Sequence, residues 1–263
     1  MDELSLHYYT VPGEWEHKGS ACDFTDEEWY VTLKKALRME DLLNKHFAIM
    51  DQYDPDKVIG MSVDEWGCWF DVESGTNPGF LYQQNTMRDA LVACINLNIF
   101  NKKCDRVQLA CIAQMVNVLQ SVILTEGEKM VKTPTYHIFH MYKYHQDSDL
   151  VASFIEGNGE SGSGENKVPT LSESVSVSAD GTINVTVGNL SIEEDVPLTL
   201  SLSEKIISSV SGSILTGAKD AHNTFDEPDV VSEKDFSGFE YEGRNLTFTL
   251  PKNSVILLRI KTA

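Results

Sequence analysis

A change of hydrophobic period near residue 150 constrains the fold more than any other feature of the sequence. Ahead of it, short apolar runs alternate with stretches whose apolar residues recur every three or four positions; beyond it, apolar residues recur every second position. Residues 4–10 form a β-type run. Thr25, with Glu28 three residues on, is a capping box that opens a long helix with Trp29, Leu33, Leu37, Leu43, Phe47 and Met50 as its buried stripe. Residues 58–63 are a second apolar run, ending in Asp64-Glu65-Trp66. Thr86 and Asp89 open a second helix, which carries Met87, Ala90, Leu91, Cys94, Ile95 and Leu97 toward Phe100. Residues 107–112 are a third strand, and a helix over residues 136–144 closes the series. This alternation predicts a parallel sheet with covering helices.

The second half reads differently. Residues 156–166 hold four glycines and no β-branched residue, so a flexible loop is expected. Val175 and Val177 then face Ile183, Val185 and Val187 across Asp180-Gly181, a strong hairpin signal. Further strand-like runs at 198–202, 246–250 and 255–260 predict an antiparallel sandwich. Composition marks the same boundary, because all five cysteines, four tryptophans and eight methionines precede residue 142. The expected domains are 1–150, α/β, and 151–263, all-β.

Charge and motifs narrow the function. A net charge of −19 repels phosphate backbones and anionic lipid, so neither nucleic acid nor a membrane surface is expected as a partner. No apolar run approaches the eighteen or so residues of a membrane span, and MDELSLHYYT has neither the basic start nor the apolar core of a signal peptide. The five cysteines include no C-x-x-C pair, which favours reduced thiols and a cytoplasmic location over disulfides or zinc. No P-loop and no G-x-S-x-G occurs, nucleotide binding and serine-hydrolase chemistry have no support, and no cofactor is expected. His137 and His140, with His145 nearby, lack a carboxylate at ligand spacing and read as ring packing rather than as a metal site. Asn184, Asn189 and Asn245 each begin an N-x-[ST] sequon, taken as chance.

In parallel α/β architectures the reacting side chains stand at the C-terminal ends of strands. The three ends visible here offer His7 and Tyr9, then Asp64, Glu65 and Trp66, then Gln114 and Asn117. A carboxylate followed by Trp66, with Trp69 beyond, suits a sugar site: a nucleophile or acid beside flat apolar faces. On spacing alone the alternative stays open, with Asp64 and Glu65 a solvated strand end and the tryptophans part of the core.

Five segments together, LSLHYYT, MSVDEW with Trp69 following, DRVQLACIAQMVNVL, NTFDEP and LPKNSVILLRI, resemble family 51 of the glycoside hydrolases, the α-L-arabinofuranosidases. The resemblance implies a retaining glycosidase built from a (β/α)8 barrel and a jelly-roll-like β-sandwich, acting on terminal arabinofuranosyl groups of arabinan, arabinoxylan or their oligosaccharides. By the same resemblance Glu65 is the nucleophile, Tyr9 hydrogen-bonds it, His7 lines the pocket, Gln114 reaches the sugar hydroxyls and Trp69 is a pocket aromatic.

Retaining hydrolysis also needs a second carboxyl group about 5 Å from the nucleophile. The family carries it in a Gly-Asn-Glu segment on the fourth barrel strand, and no Asn-Glu dipeptide occurs in this sequence. LSLHYYT resembles the sixth strand, so the chain is expected to be a C-terminal half containing the last three βα units. Three strands cannot close a barrel, and the uncovered face is expected to expose Leu, Val and Met side chains. The reading is therefore a nucleophile-bearing half that is inactive alone and works with a companion polypeptide or in a homo-oligomer. The alternative is a catalytically inactive remnant serving as a structural or carbohydrate-contacting module.

Overall fold

The computed structural model describes all 263 residues, Met1 to Ala263. The first five elements are β1 (Glu3–Thr10), α1 (Asp26–Tyr53), β2 (Gly60–Cys68), α2 (Met87–Lys102) and β3 (Val107–Ile112). β1 and β3 each pair in parallel with β2, giving the order β1-β2-β3. Both capping boxes close, Thr25 with Glu28 and Thr86 with Asp89, which satisfies orphan N–H groups at both helix starts. A short hairpin, β4 (Ile123–Glu126) and β5 (Lys129–Lys132), leads to α3 (Pro134–Tyr142). α3 starts and stops two residues earlier than the periodicity predicts. The Thr133 hydroxyl accepts the Tyr136 N–H, and Pro134 fits the first turn, where no N–H is needed.

The remaining strands are β6 (Asp149–Leu150), β7 (Glu160–Ser161), β8 (Val168–Pro169), β9 (Leu171–Val177), β10 (Ile183–Asn189), β11 (Val196–Ser201), β12 (Ile207–Thr216), β13 (Lys234–Asp235), β14 (Phe239–Glu242), β15 (Asn245–Leu250) and β16 (Ser254–Thr262). Six of them form a sheet in the order β13-β12-β16-β10-β9-β6, three form β11-β15-β14, and β7 pairs with β8. The Asp180-Gly181 hairpin pairs Val177 with Ile183 and Val175 with Val185, and Gly181 takes the positive φ of +80° that the tight turn requires.

Two cores hold the layers together. Ile183, Val185 and Val187 of β10 and Ile256, Leu258 and Ile260 of β16 pack against Leu246, Phe248 and Leu250 of β15. On the opposite face of the same sheet, Val255, Leu257 and Leu215 join the helices in a larger core that continues to Met61, Val63 and Trp66 of β2. The helices thus lie between two sheets, and α2 is buried around almost its whole circumference. A sandwich alone does not account for this, because the helix-facing side of the six-stranded sheet is covered as well.

That covered side carries hydroxyls and amides: the Asn98 amide donates to Ser172 (3.0 Å), Tyr142 donates to the Asn98 carbonyl (2.7 Å), and Ser174 and Thr186 converge on the same oxygen. His145 sits in this seam between the hydroxyls of Ser176 (2.8 Å) and Thr186 (3.1 Å). Burial pushes its imidazole down from 6.5 to about 4. The folded chain therefore binds this proton less readily than the unfolded one. The contribution is whole above about pH 6.5 and is lost as the pH falls toward 4, a span of about 3 kcal/mol. In urea titrations at pH 7 and pH 4.5, His145→Gln should show a smaller acid loss than the parent chain; equal losses would assign the acid sensitivity elsewhere.

The side of the parallel sheet away from the helices is open. It carries Ser5, His7, Tyr9, Asp64, Glu65, Leu109 and Cys111, with Leu109 46% exposed. The expected row of Leu, Val and Met is largely absent there, because Met61 and Val63 point to the helices instead.

Candidate functional site

Backbone register explains how two successive carboxylates come to share this open face. Between Ser5 and His7 of β1 lie two steps where β2 takes three, from Ser62 to Glu65. Against β3 the same strand takes three steps, Val63 to Trp66, where its neighbour takes two. β2 therefore carries one extra residue relative to both neighbours, a bulge over residues 63–65. Met61 and Val63 face the helices before it, and Trp66 and Cys68 face them after it, all at most 1% exposed. Asp64 and Glu65 are left on the other side.

The two carboxylates are held by β1. Tyr9 donates its phenol proton to Glu65 Oε1, and His7 Nδ1 lies 2.9 Å from Glu65 Oε2. The other ring nitrogen of His7 lies 3.2 Å from Asp64 Oδ1, which also accepts the Ser5 hydroxyl at 2.7 Å. These groups hold the Asp64 carboxyl below the usual range, the Ser5 hydrogen bond most of all. Burial, with the Glu65 carboxylate as acceptor and neighbour, pushes the Tyr9 phenol well above its usual value, so it remains a donor throughout the physiological range.

Trp69 forms the side wall. Its ring meets Tyr9 edge-on at 5.0 Å and Trp15 edge-on at 5.0 Å, while Lys18 Nζ lies 4.8 Å from the Trp15 ring centre and 5.4 Å from that of Trp69. Its backbone is tied on both sides: Gln120 Oε1 accepts the Cys68 N–H (2.8 Å), Gln83 Oε1 accepts the Phe70 N–H (2.8 Å), and Trp69 N–H donates to the Thr10 carbonyl (3.0 Å). Both glutamines are buried. Gly67, with φ of +139°, lets the strand pass close over Gln120, where any Cβ would press on that side chain.

The structure thus brings His7, Tyr9, Glu65 and Trp69 together. Gln114 stands at the end of β3, exposed, with φ of +81°, and makes no hydrogen bond to any of them. Asn117 is committed elsewhere, its amide donating to the Thr125 carbonyl and its oxygen accepting the Thr125 N–H. Trp66 belongs to the core, edge-on to Phe100 and stacked with Phe139, so the two tryptophans divide between the two readings that spacing leaves open. His140 faces Glu233 (2.6 Å), His145 lies in the interlayer seam and His137 is buried; no group of three or more His, Cys, Asp or Glu is placed to hold a metal. Asn184 and Asn189 are fully buried, which excludes a glycan in the folded chain.

Sequence reasoning missed Ser5, Trp15, Gln83 and Gln120. Trp15 had a signal, a large aromatic in the loop after a strand end that bears His7 and Tyr9. The two glutamines had none, since their role exists only through the backbone they meet.

Residues 64–254 match the α-L-arabinofuranosidase C-terminal domain. An intracellular exo-α-L-arabinofuranosidase of Bacteroides ovatus is 42% identical over 262 residues, covering 99% of this chain and 51% of that protein. An intracellular exo-α-(1→5)-L-arabinofuranosidase of Streptomyces lividans is 25% identical over 95% of this chain and 38% of its own length. The crystal structure of the GH51 arabinofuranosidase from Xanthomonas axonopodis pv. citri superposes with a TM-score of 0.96 at 41% identity, over 99% of this chain and 53% of that one. The chain spans about half the length of these relatives, or less.

Proposed function

Because the chain belongs to the α-L-arabinofuranosidases, the family whose C-terminal domain it matches, we propose that it carries the nucleophile half of a retaining arabinofuranosidase site, with Glu65 as the nucleophile. The observation that carries this reading is the Tyr9–Glu65–His7 cluster beside Trp69 on an uncovered sheet face. A carboxylate with one donor on each oxygen is held in a single orientation, with lone pairs left over for attack on an anomeric carbon. Tyr9 orients Glu65, His7 lines the pocket, Trp69 walls the sugar ring and Gln114 reaches its hydroxyls from the neighbouring strand end.

Asp64 is a poor candidate for the second carboxyl group. Its partners keep it ionised at neutral pH, whereas a general acid must hold a proton there. The acid/base carboxyl is therefore supplied by residues outside these 263. The three parallel strands serve as the last three βα units of a (β/α)8 barrel over residues 1–150, and residues 151–263 form the sandwich domain, to whose larger sheet β6 (Asp149–Leu150) adds an edge from the first segment. The open edges at β1 and β3 are where the remaining barrel strands add, from a companion polypeptide, from another copy or from further chain. Substrates are terminal arabinofuranosyl groups of arabinan or arabinoxylan and their oligosaccharides. No helix is long and apolar enough to cross a membrane. Relatives named as intracellular enzymes support a cytoplasmic location for this chain.

In the assembled enzyme, a 2-fluoro arabinofuranosyl donor with a good leaving group should trap an ester on Glu65, because the fluorine destabilises the oxocarbenium-like transition state and slows hydrolysis of the ester. Peptide mapping should find the label between Ser62 and Trp66. A label on Asp64 would show that Asp64 and not Glu65 is the nucleophile, and no label from an active assembly would overturn the covalent mechanism. The 263-residue chain by itself should show no turnover of aryl arabinofuranosides; turnover abolished by Glu65→Ala would overturn the claim that the acid/base lies outside it.

A further inference from the structure

The connection from β1 to α1 carries Trp15 beside the site, and both of its ends are anchored. On α1, Lys35 Nζ lies 2.9 Å from the Val11 carbonyl, 2.7 Å from that of Pro12 and 3.1 Å from that of Gly13. An ammonium has three donors and all three are used, on three successive carbonyls that point at one place. Converging carbonyls repel one another unless a cation sits between them, so this turn depends on Lys35. The group is half-buried, and burial lowers its pKa from the usual lysine value. At the other end, the Asp71 carboxylate accepts the N–H groups of Lys18 and Gly19 at 3.1 Å each, and Asp71 N–H donates to the Gly19 carbonyl at 2.9 Å. Between the anchors, Trp15 meets Trp69 edge-on and keeps 60% of its surface exposed.

We propose that Lys35 is a positioning residue that fixes the Trp15 wall and so sets how strongly the site holds a second sugar ring. This rests on reading the Glu65 cluster as a sugar site. One ring placed over Glu65 reaches Tyr9 and Trp69; a ligand continuing outward meets Trp15. A flat apolar wall gains affinity only if it is already in place, because ordering a free loop offsets the contact.

The test uses the full chain and two probes, methyl α-L-arabinofuranoside with one ring and α-1,5-arabinotriose with three, followed by tryptophan fluorescence. Trp29 and Trp66 are fully buried, so acrylamide reports mainly on Trp15 and Trp69. Lys35→Met should raise acrylamide quenching and speed amide exchange over residues 11–19 with no sugar present. The parent chain should bind the trisaccharide about tenfold more tightly than the single ring, and Lys35→Met should reduce that ratio to below about twofold while leaving single-ring binding unchanged. Lys35→Arg should not restore the ratio, since a planar guanidinium cannot direct three donors to one point; full restoration would mean that charge alone matters and would overturn the proposal. Should Lys35→Met fail to fold, Asp71→Asn loosens the opposite anchor and must give the same loss of ratio. An unchanged loop, or a loosened loop with an unchanged ratio, overturns the positioning role. Where the isolated chain binds neither probe, the ratio is read on the assembled enzyme inactivated by Glu65→Gln, and failure of that enzyme to bind either probe overturns the sugar-site reading, and the specificity role with it.

Discussion

Glu65→Gln in the assembled enzyme should lower kcat for an aryl arabinofuranoside by about 10⁴- to 10⁶-fold, the range seen when an enzyme loses its nucleophile. The substitution keeps the shape of the side chain, and the amide oxygen still accepts the Tyr9 proton, so the fold and the pocket should persist. What disappears is the negative charge that attacks the anomeric carbon and stabilises the cationic transition state. Tyr9→Phe removes an orienting donor without removing that charge, and should cost far less, about 10²-fold. Single-turnover rates, with far-UV circular dichroism as the control for folding, separate the two. A loss below about tenfold for Glu65→Gln would exclude Glu65 as the nucleophile. His7 bridges Glu65 and Asp64 with its two ring nitrogens, so Ser5→Ala should leave most activity while loosening Asp64.

Trp29→Ala should lower stability by about 3–5 kcal/mol, a large share of the roughly 5–15 kcal/mol available to a folded domain. Trp29 is fully buried on the first turn of α1, and its indole N–H donates to the Leu190 carbonyl at 3.0 Å. The contact ties the helical layer to the chain just past β10, across 161 residues of sequence. Truncation opens a cavity and also leaves that carbonyl unpaired in a dry place. Trp29→Phe keeps most of the volume and should cost about 1 kcal/mol, the hydrogen bond alone. Urea denaturation with an unchanged m-value would read out both. A loss below about 1 kcal/mol for Trp29→Ala would mean that the two layers do not depend on this contact.

Short-range chemistry made much of the chain legible in its sequence. Thr25 with Glu28, and Thr86 with Asp89, declare helix starts through groups three residues apart, and Asp180-Gly181 declares a hairpin through its own φ preferences. The apolar run ahead of Asp64-Glu65-Trp66 declares a strand for the same local reason, although β2 continues through the carboxylates to Cys68 instead of ending at them. The site itself was legible only in part. His7, Tyr9, Glu65 and Trp69 could be named because strand ends gather side chains, but Trp66 and Trp69 could not be told apart by spacing.

Tertiary structure decided the rest. The extra residue in β2 is defined only against the registers of β1 and β3, and it alone puts both carboxylates on the open face while returning Trp66 to the core. Asn184 and Thr186 alternate with Ile183, Val185 and Val187 as they would in a half-exposed strand, yet all five are buried, because helices from the first half cover the polar side. Alternation along the chain therefore determined which residues share a face. What each face meets was set by pairing registers and by layers brought together from distant parts of the sequence, which no local pattern encodes.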